Sequence, residues 1–251
     1  MGVILIEGDN HLATLGNCGG YYSCPKSPDG KRLGPLVGYA GKYDGPDGKK
    51  LQFIGDIYAN FAKAEVYPHV LKFFALGLAA RLDATVGLPN IDVVCGAPIG
   101  GYSLADVLGL TIGAKMIKAE KKVTAIATAD SREQSELVFA RHSIEPGERV
   151  AIIEDVCNNF STTGTLIDLI IGAGGKVVAI ACFLNRSMNT TAQYYTEKTG
   201  TIHVVNLVCK SIIEYKQDDL AVAEDVAKGN VVWKPKNEWG RLMQAMADNP
   251  Q

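Results

Sequence analysis

The sequence predicts an α/β protein: an open, mostly parallel twisted sheet flanked by helices, with a small β-rich hood at the N terminus. Three observations predict it. Residues 91–95, 150–153, 177–184 and 201–208 are short, apolar and largely β-branched, the composition of strands buried on both faces. Segments of helical periodicity lie between several of them, as crossovers between parallel strands require. Residues 8–50, by contrast, are rich in Gly, Pro, Asp and Tyr, and repeat the turn former Pro-Asp-Gly-Lys at 28–31 and 46–49. The expected layout is a hood over 1–64, an α/β core over 65–215, and a C-terminal helix and tail over 216–251.

In chain order, the hood contains Tyr21, Tyr22, Tyr39, Tyr43 and Tyr58. One or two could wall a planar base, whereas each taken singly reads better as packing. Residues 51–64 read as a strand leading to a turn, and residues 68–82 as an amphipathic helix with Pro68 at its first position. The strand at 91–95 runs into Gly96-Ala97-Pro98-Ile99-Gly100-Gly101 and a helix over 102–110. Backbone N–H groups of such a turn can hold an anion, and Gly100 and Gly101 allow it close. A strand at 114–119 gives way to Lys118, Lys121 and Lys122 and a polar stretch reaching Glu136, read as a mobile loop or hairpin. A β-like run at 137–141 and the turn Glu145-Pro146-Gly147-Glu148 lead to the strand at 150–153. The strand at 177–184 ends at Asn185-Arg186-Ser187. Residues 190–199 are expected to be helical, 201–208 a strand, and 220–227 a helix before the tail.

The densest chemistry follows residue 150. An apolar strand there ends in Glu154 and Asp155, followed by Ser161, Thr162, Thr163, Gly164 and Thr165 and then an apolar helical pattern. Hydroxyls and free N–H groups at a helix start suit a phosphate, and the helix dipole contributes only about 0.3–1 kcal/mol, so hydrogen bonds must dominate. Carboxylates at a strand end suit ribose hydroxyls or water around Mg²⁺. Taken singly, these features read as a solvated strand end and a helix cap; in this order they describe a site for a phosphorylated sugar. Arg186, at the end of the next strand, could hold a carboxylate or imide edge of a base.

The balance of 25 basic and 27 acidic residues gives a net charge of −2, so no global field favours nucleic acid or membrane. The six cysteines show no C-x-x-C spacing and read as reduced thiols of a cytosolic protein. The opening MGVILIEGDNH is too short and too soon acidic for a secretory signal. No uncharged apolar run reaches the ~18 residues needed to span a bilayer.

The strand, the acid pair and the hydroxyl segment resemble the ribose-phosphate motif of type I phosphoribosyltransferases. The glycine turn at 96–101, Lys118-Ala119-Glu120-Lys121, Phe139-Ala140-Arg141-His142 and Asn185-Arg186 resemble the orotate branch. The resemblance implies an Mg²⁺-dependent transfer of phosphoribosyl from 5-phosphoribosyl-1-diphosphate (PRPP) to a nucleobase, orotate first among them. It implies Asp155 and Lys121 or Lys122 as catalytic residues. Lys118, Glu154, Asp155, residues 161–165, Arg186, Pro98, Gly100 and Gly101 would bind substrate, with Mg²⁺ carried by the diphosphate and Asp155 reaching it through water. It further implies a cytoplasmic homodimer with shared active sites. The chain departs from the pattern in an insertion at 157–160, in Thr163 where glycine is common, and in lacking the loop histidine. Another base, or a non-catalytic sensor of PRPP, therefore stays open; a nucleotide phosphotransferase is disfavoured because there is no G-x-x-x-x-G-K-[ST].

Overall fold

The computed structural model describes residues 4–125, 134–187 and 190–250. In chain order the elements are α1 (His11–Asn17), β1 (Tyr21–Ser23), β2 (Leu36–Asp44), β3 (Lys50–Gly55), β4 (Ile57–Ala59), α2 (Ala62–Glu65) and α3 (Pro68–Val86). There follow β5 (Val93–Gly96), α4 (Tyr102–Ile112), β6 (Lys115–Lys118), β7 (Glu120–Ala125), β8 (Gln134–Val138), β9 (Arg149–Cys157) and α5 (Ser161–Gly172). The chain closes with β10 (Lys176–Asn185), β11 (Gln193–Thr196), β12 (Gly200–Cys209), α6 (Ala223–Ala227), β13 (Val231–Val232) and α7 (Trp239–Asp248). Two compact units result, residues 64–211 and residues 1–63 together with 212–251. The chain passes between them at 63–64 and at 211–212, and the N- and C-terminal segments belong to one unit.

Residues 64–211 carry a six-stranded sheet in the order β11-β12-β10-β9-β5-β6. All neighbours are parallel except the edge pair β11–β12, which gives the predicted open, mostly parallel architecture. Val93, Ile152, Ile180 and Val204 pack with Leu166 and Ile170 of α5 in its core. This burial is what the uninterrupted β-branched runs encode. At the amino ends of β5 and β9, the Arg149 guanidinium donates to both carboxylate oxygens of Asp92, at 2.8 and 2.7 Å. That pairing, together with the Arg149 N–H, holds the Asp92 carboxyl down at about 2.

Three expectations for this unit change. Strand β9 does not stop at the acids: Glu154 lies opposite Cys182, Val156 opposite Leu184 and Cys157 opposite Asn185, because β10 offers parallel partners that far along. Residues 161–165 are not a loop before a helix but the opening turns of α5, leaving only 158–160 as the connection. Residues 190–199 contain a strand, β11, since Gln193–Thr196 alternates exposed and half-buried residues and pairs antiparallel with β12 across the turn at Gly200, where φ is +70°. The polar stretch from 118 begins and ends as the antiparallel β7–β8 hairpin, and its residues 126–133 lie outside the described residues.

The other unit holds a β13-β2-β3 sheet and a β1–β4 pair. Both Pro-Asp-Gly-Lys segments are turns: the Ser27 N–H donates to the Lys31 carbonyl and the Gly45 N–H to the Lys49 carbonyl, each at 2.8 Å, with Gly30 and Gly48 at positive φ. The expected C-terminal helix shrinks to Ala223–Ala227, and the expected tail supplies β13 and the amphipathic α7. Trp239 and Leu242 of α7 pack with Tyr22 and Tyr39, and the Trp239 Nε1–H donates to the Gly19 carbonyl at 2.9 Å. Tyr22 and Tyr39 are core residues whose hydroxyls donate to the Pro35 and Ile57 carbonyls, so neither walls a base. Among the described residues no helix is long and apolar enough to cross a membrane.

Candidate active site

The parallel sheet places the carboxyl ends of β5, β9 and β10 side by side, and every candidate site residue in residues 96–101, 154–165 and 186 is reached from one of them. The glycine turn leaves β5 directly. Its Ala97 N–H donates to the Ile153 carbonyl at 2.9 Å, and the Gly101 N–H donates back to the Ala97 carbonyl at 3.1 Å, so the turn is sewn to β9 just before the acids. A Cβ on Gly101 would lie 2.0 Å from the Ile153 carbonyl oxygen. A Cβ on Gly100 would fall 2.3 Å from the Asp155 carboxylate. The close approach at Gly101 is by backbone and at Gly100 by the Asp155 carboxylate, both of them the protein's own atoms.

The two acids differ. Glu154 is 8% exposed and faces the interior, and burial first, then the neighbouring Asp155 charge, push its carboxyl up to about 8. Asp155 is half-buried, and one of its oxygens accepts the Val156 N–H at 2.8 Å. Cys157 and Cys182 lie deeper; hydrogen bonding between them and burial hold the Cys157 thiol well above its usual range. Burial thus favours the protonated, donor-capable form of Glu154 at neutral pH.

The shift in Glu154 has a measurable consequence. Because the folded state holds this proton more tightly than the unfolded state, stability falls as pH rises from about 4.5 to about 8. At about 1.4 kcal/mol per tenfold change in proton affinity, the penalty at alkaline pH is on the order of a few kcal/mol. Glu154→Gln removes it. In urea titrations the variant is expected to gain on the wild type progressively between pH 5 and pH 8.5, and parallel stability curves would contradict the burial of this charge.

The connection 158–160 carries the insertion. Phe160 occupies the N-cap of α5 in the left-handed region, at φ 57°, with no side-chain cap. Its ring is buried and packs on Tyr194 of β11, with centroids 4.9 Å apart. The extra residues are therefore anchored in the core cluster. In the first turn, the Ser161 N–H donates to Asn159 Oδ1 at 3.1 Å and the Gly164 N–H to the Phe160 carbonyl at 2.7 Å. Helix geometry leaves the Thr162 and Thr163 N–H groups without intrahelical acceptors, at the positive end of the dipole. Thr163 turns inward and is buried, Ser161 and Thr165 are exposed and Thr162 is half-buried, and Thr165 Oγ1 donates to the Ser161 carbonyl at 3.2 Å. A Cβ on Gly164 would meet only the Tyr194 hydroxyl, at 3.6 Å, so packing alone does not demand glycine there.

Arg186 follows β10 and donates its backbone N–H to the Cys157 carbonyl at 2.9 Å, which puts it beside the end of the acid-bearing strand. It is 8% exposed, unlike an ordinary surface arginine. Ser187 locks the corner by donating its N–H and Oγ–H to Asn185 Oδ1. Of the basic residues, Lys118 pairs with Asp106 at 2.6 Å, Lys122 pairs with Glu136 at 3.6 Å, and Lys121 is exposed on β7. No group of three or more His, Cys, Asp or Glu side chains among the described residues could hold a metal ion. Of the acid pair, half-buried Asp155 alone suits an ion such as Mg²⁺ that draws its ligands from water and phosphate.

No family model matches the sequence. Curated relatives do. An adenine phosphoribosyltransferase of Clostridium tetani is 30% identical over 125 residues, covering 47% of this chain and 70% of that protein. The chain belongs to the type I phosphoribosyltransferase family. An orotate phosphoribosyltransferase of Heliobacterium modesticaldum is 32% identical over 131 residues, and one of Caldanaerobacter subterraneus is 31% identical over 133. The match covers 52–53% of this phosphoribosyltransferase chain, and the chain spans 62% of the length of each of those two relatives. Among solved structures, an adenine phosphoribosyltransferase of Thermoanaerobacter pseudethanolicus overlaps with a TM-score of 0.46 and 14% identity, covering 67% of this chain and 94% of that one. Sequence reasoning about this family member missed Tyr102, Asp106 and the Phe160–Tyr194 pair. The one available signal was an aromatic directly after two glycines with an acid four residues on, hence on the same helix face.

Proposed function

We propose that this protein transfers the 5-phosphoribosyl group of PRPP to orotate in the cytoplasm, giving orotidine 5′-monophosphate and pyrophosphate. The observation that supports it most is the seating of the Asp155 carboxylate against Gly100, which joins the acid pair to the glycine turn within one junction. In this reading Glu154 and Asp155 bind the ribose hydroxyls, residues 161–165 bind the 5′-phosphate, and Pro98, Gly100 and Gly101 border the diphosphate. Arg186 meets the carboxylate or imide edge of the base, and Lys118 with Lys121 or Lys122 balances charge on the departing oxygens. When bound, Mg²⁺ supplies charge neutralisation on the diphosphate, with Asp155 reaching its water shell. The C1′–O bond to pyrophosphate breaks as the bond to the base nitrogen forms, and positive charge develops on the sugar between them. Orotate is already an anion, so the chain needs to orient the partners and stabilise charge rather than supply a strong base.

The adenine relative supports a second reading, the same chemistry on a purine. Pyrophosphate release from PRPP with Mg²⁺ and a panel of bases decides. Release with orotate alone bears out the first reading; release with adenine and not orotate replaces it by the second. Binding of PRPP with no release for any base identifies a sensor. A homodimer with shared sites belongs to the same proposal, and light scattering with and without PRPP tests it.

A further inference from the structure

Tyr102 is the first residue of α4, directly after the glycine turn, and its ring lies against Gly96, where an added Cβ would meet it at 3.1 Å. Its hydroxyl donates to the carbonyl of Ala119, the residue joining β6 to the hairpin strand β7. The Ala119 N–H in turn reaches the Gly96 carbonyl at 3.4 Å. Lys118, one residue earlier, holds its ammonium over the Tyr102 ring at 5.5 Å while pairing with Asp106 one helical turn along α4. On the far side of the hairpin root, Arg141 pairs with Glu120 at 2.8 Å, and the Lys118 N–H donates to His142 Nδ1 at 3.4 Å. One side chain thus touches the glycine turn, the ammonium of Lys118 and the root of the basic hairpin.

We propose that Tyr102 is a positioning residue that latches the hairpin root to the glycine turn, so that Lys118 is held where it can exchange Asp106 for an oxygen of the PRPP diphosphate. The inference rests on the phosphoribosyl reading above for its ligand and on geometry alone for the latch. Burial holds the Tyr102 phenol above its usual range, so it stays a donor at neutral pH. A ring with no hydroxyl would keep the packing against Gly96 and the cation over its face, but would release the Ala119 carbonyl.

Tyr102→Phe and Tyr102→Leu in the full chain test this by two readouts, amide hydrogen exchange in the ligand-free protein and calorimetric binding of PRPP with Mg²⁺. For Tyr102→Phe the amides of Ala119 and Glu120 are expected to exchange about threefold to tenfold faster, the range one neutral hydrogen bond accounts for, with β9 and β10 unchanged. The Kd for PRPP rises by a similar factor, and Tyr102→Leu exceeds both effects. Exchange at 119–120 equal to wild type, or faster throughout the sheet, overturns the latch. Local loosening with unchanged PRPP affinity overturns its role in binding. A wild-type protein that does not bind PRPP sinks the phosphoribosyl reading and with it the assigned ligand, while the exchange readout still decides the latch.

Discussion

Asp155→Asn is expected to lower the rate of pyrophosphate release on the order of 10²–10³-fold, the cost of removing one preorganised group that stabilises developing charge. The fold should not notice. Asn Oδ1 can accept the Val156 N–H that Asp155 accepts at 2.8 Å, and the side chain is half-buried without a core role. The melting temperature is expected to stay within about 2 °C of wild type, as for substitutions worth no more than about 0.5 kcal/mol. Steady-state rates with near wild-type turnover would show that this carboxylate does not meet the reacting sugar.

The two adjacent glycines of the turn are expected to separate stability from activity. At Gly101 the new methyl would sit 2.0 Å from the Ile153 carbonyl oxygen and 2.9 Å from the Ala97 nitrogen, the two ends of the hydrogen bond that fastens the turn to β9. Backbone on both sides cannot step aside. Gly101→Ala is therefore expected to cost about 3 kcal/mol or more, the upper range of overpacking, and to lower the melting temperature by roughly 6–12 °C. At Gly100 the clash is with the Asp155 carboxylate, the end of a side chain rather than backbone. Gly100→Ala is expected to cost only about 1 kcal/mol while reducing turnover nearly as far as Asp155→Asn does. Thermal unfolding and pyrophosphate release on both variants check the pattern. Equal losses of stability, or a fully active Gly100→Ala, would contradict the contact.

Much of this was legible in the residues. Runs rich in Val and Ile at 93–94, 150–153 and 177–180 encode strands with no solvent face, and the glycine turn, the acids and the hydroxyl segment follow at their carboxyl ends. Where a strand stops was not legible, since β9 continues through Glu154 and Asp155 only because β10 pairs with it as far as Asn185. Residues 193–196 were misread for a related reason. Tyr194, Tyr195 and Thr196 suit a strand, but pairing with the edge of β12, a contact made in space, is what decides it. The Tyr102 hydroxyl and the seat of Phe160 on Tyr194 join positions 17 and 34 residues apart, and local pattern does not encode such pairs. The insertion at 157–160 reads in the sequence only as a departure from the family pattern; Phe160, buried in the core cluster, makes it part of the scaffold.

The central claim is that the junction between β9 and α5 grips a phosphorylated pentose. A crystal structure with ribose 5-phosphate tests it most directly. The phosphate is predicted at the Thr162 and Thr163 N–H groups, with the sugar hydroxyls on Glu154 and Asp155. An empty junction, or a phosphate bound elsewhere with both carboxylates turned away from the sugar, would contradict it.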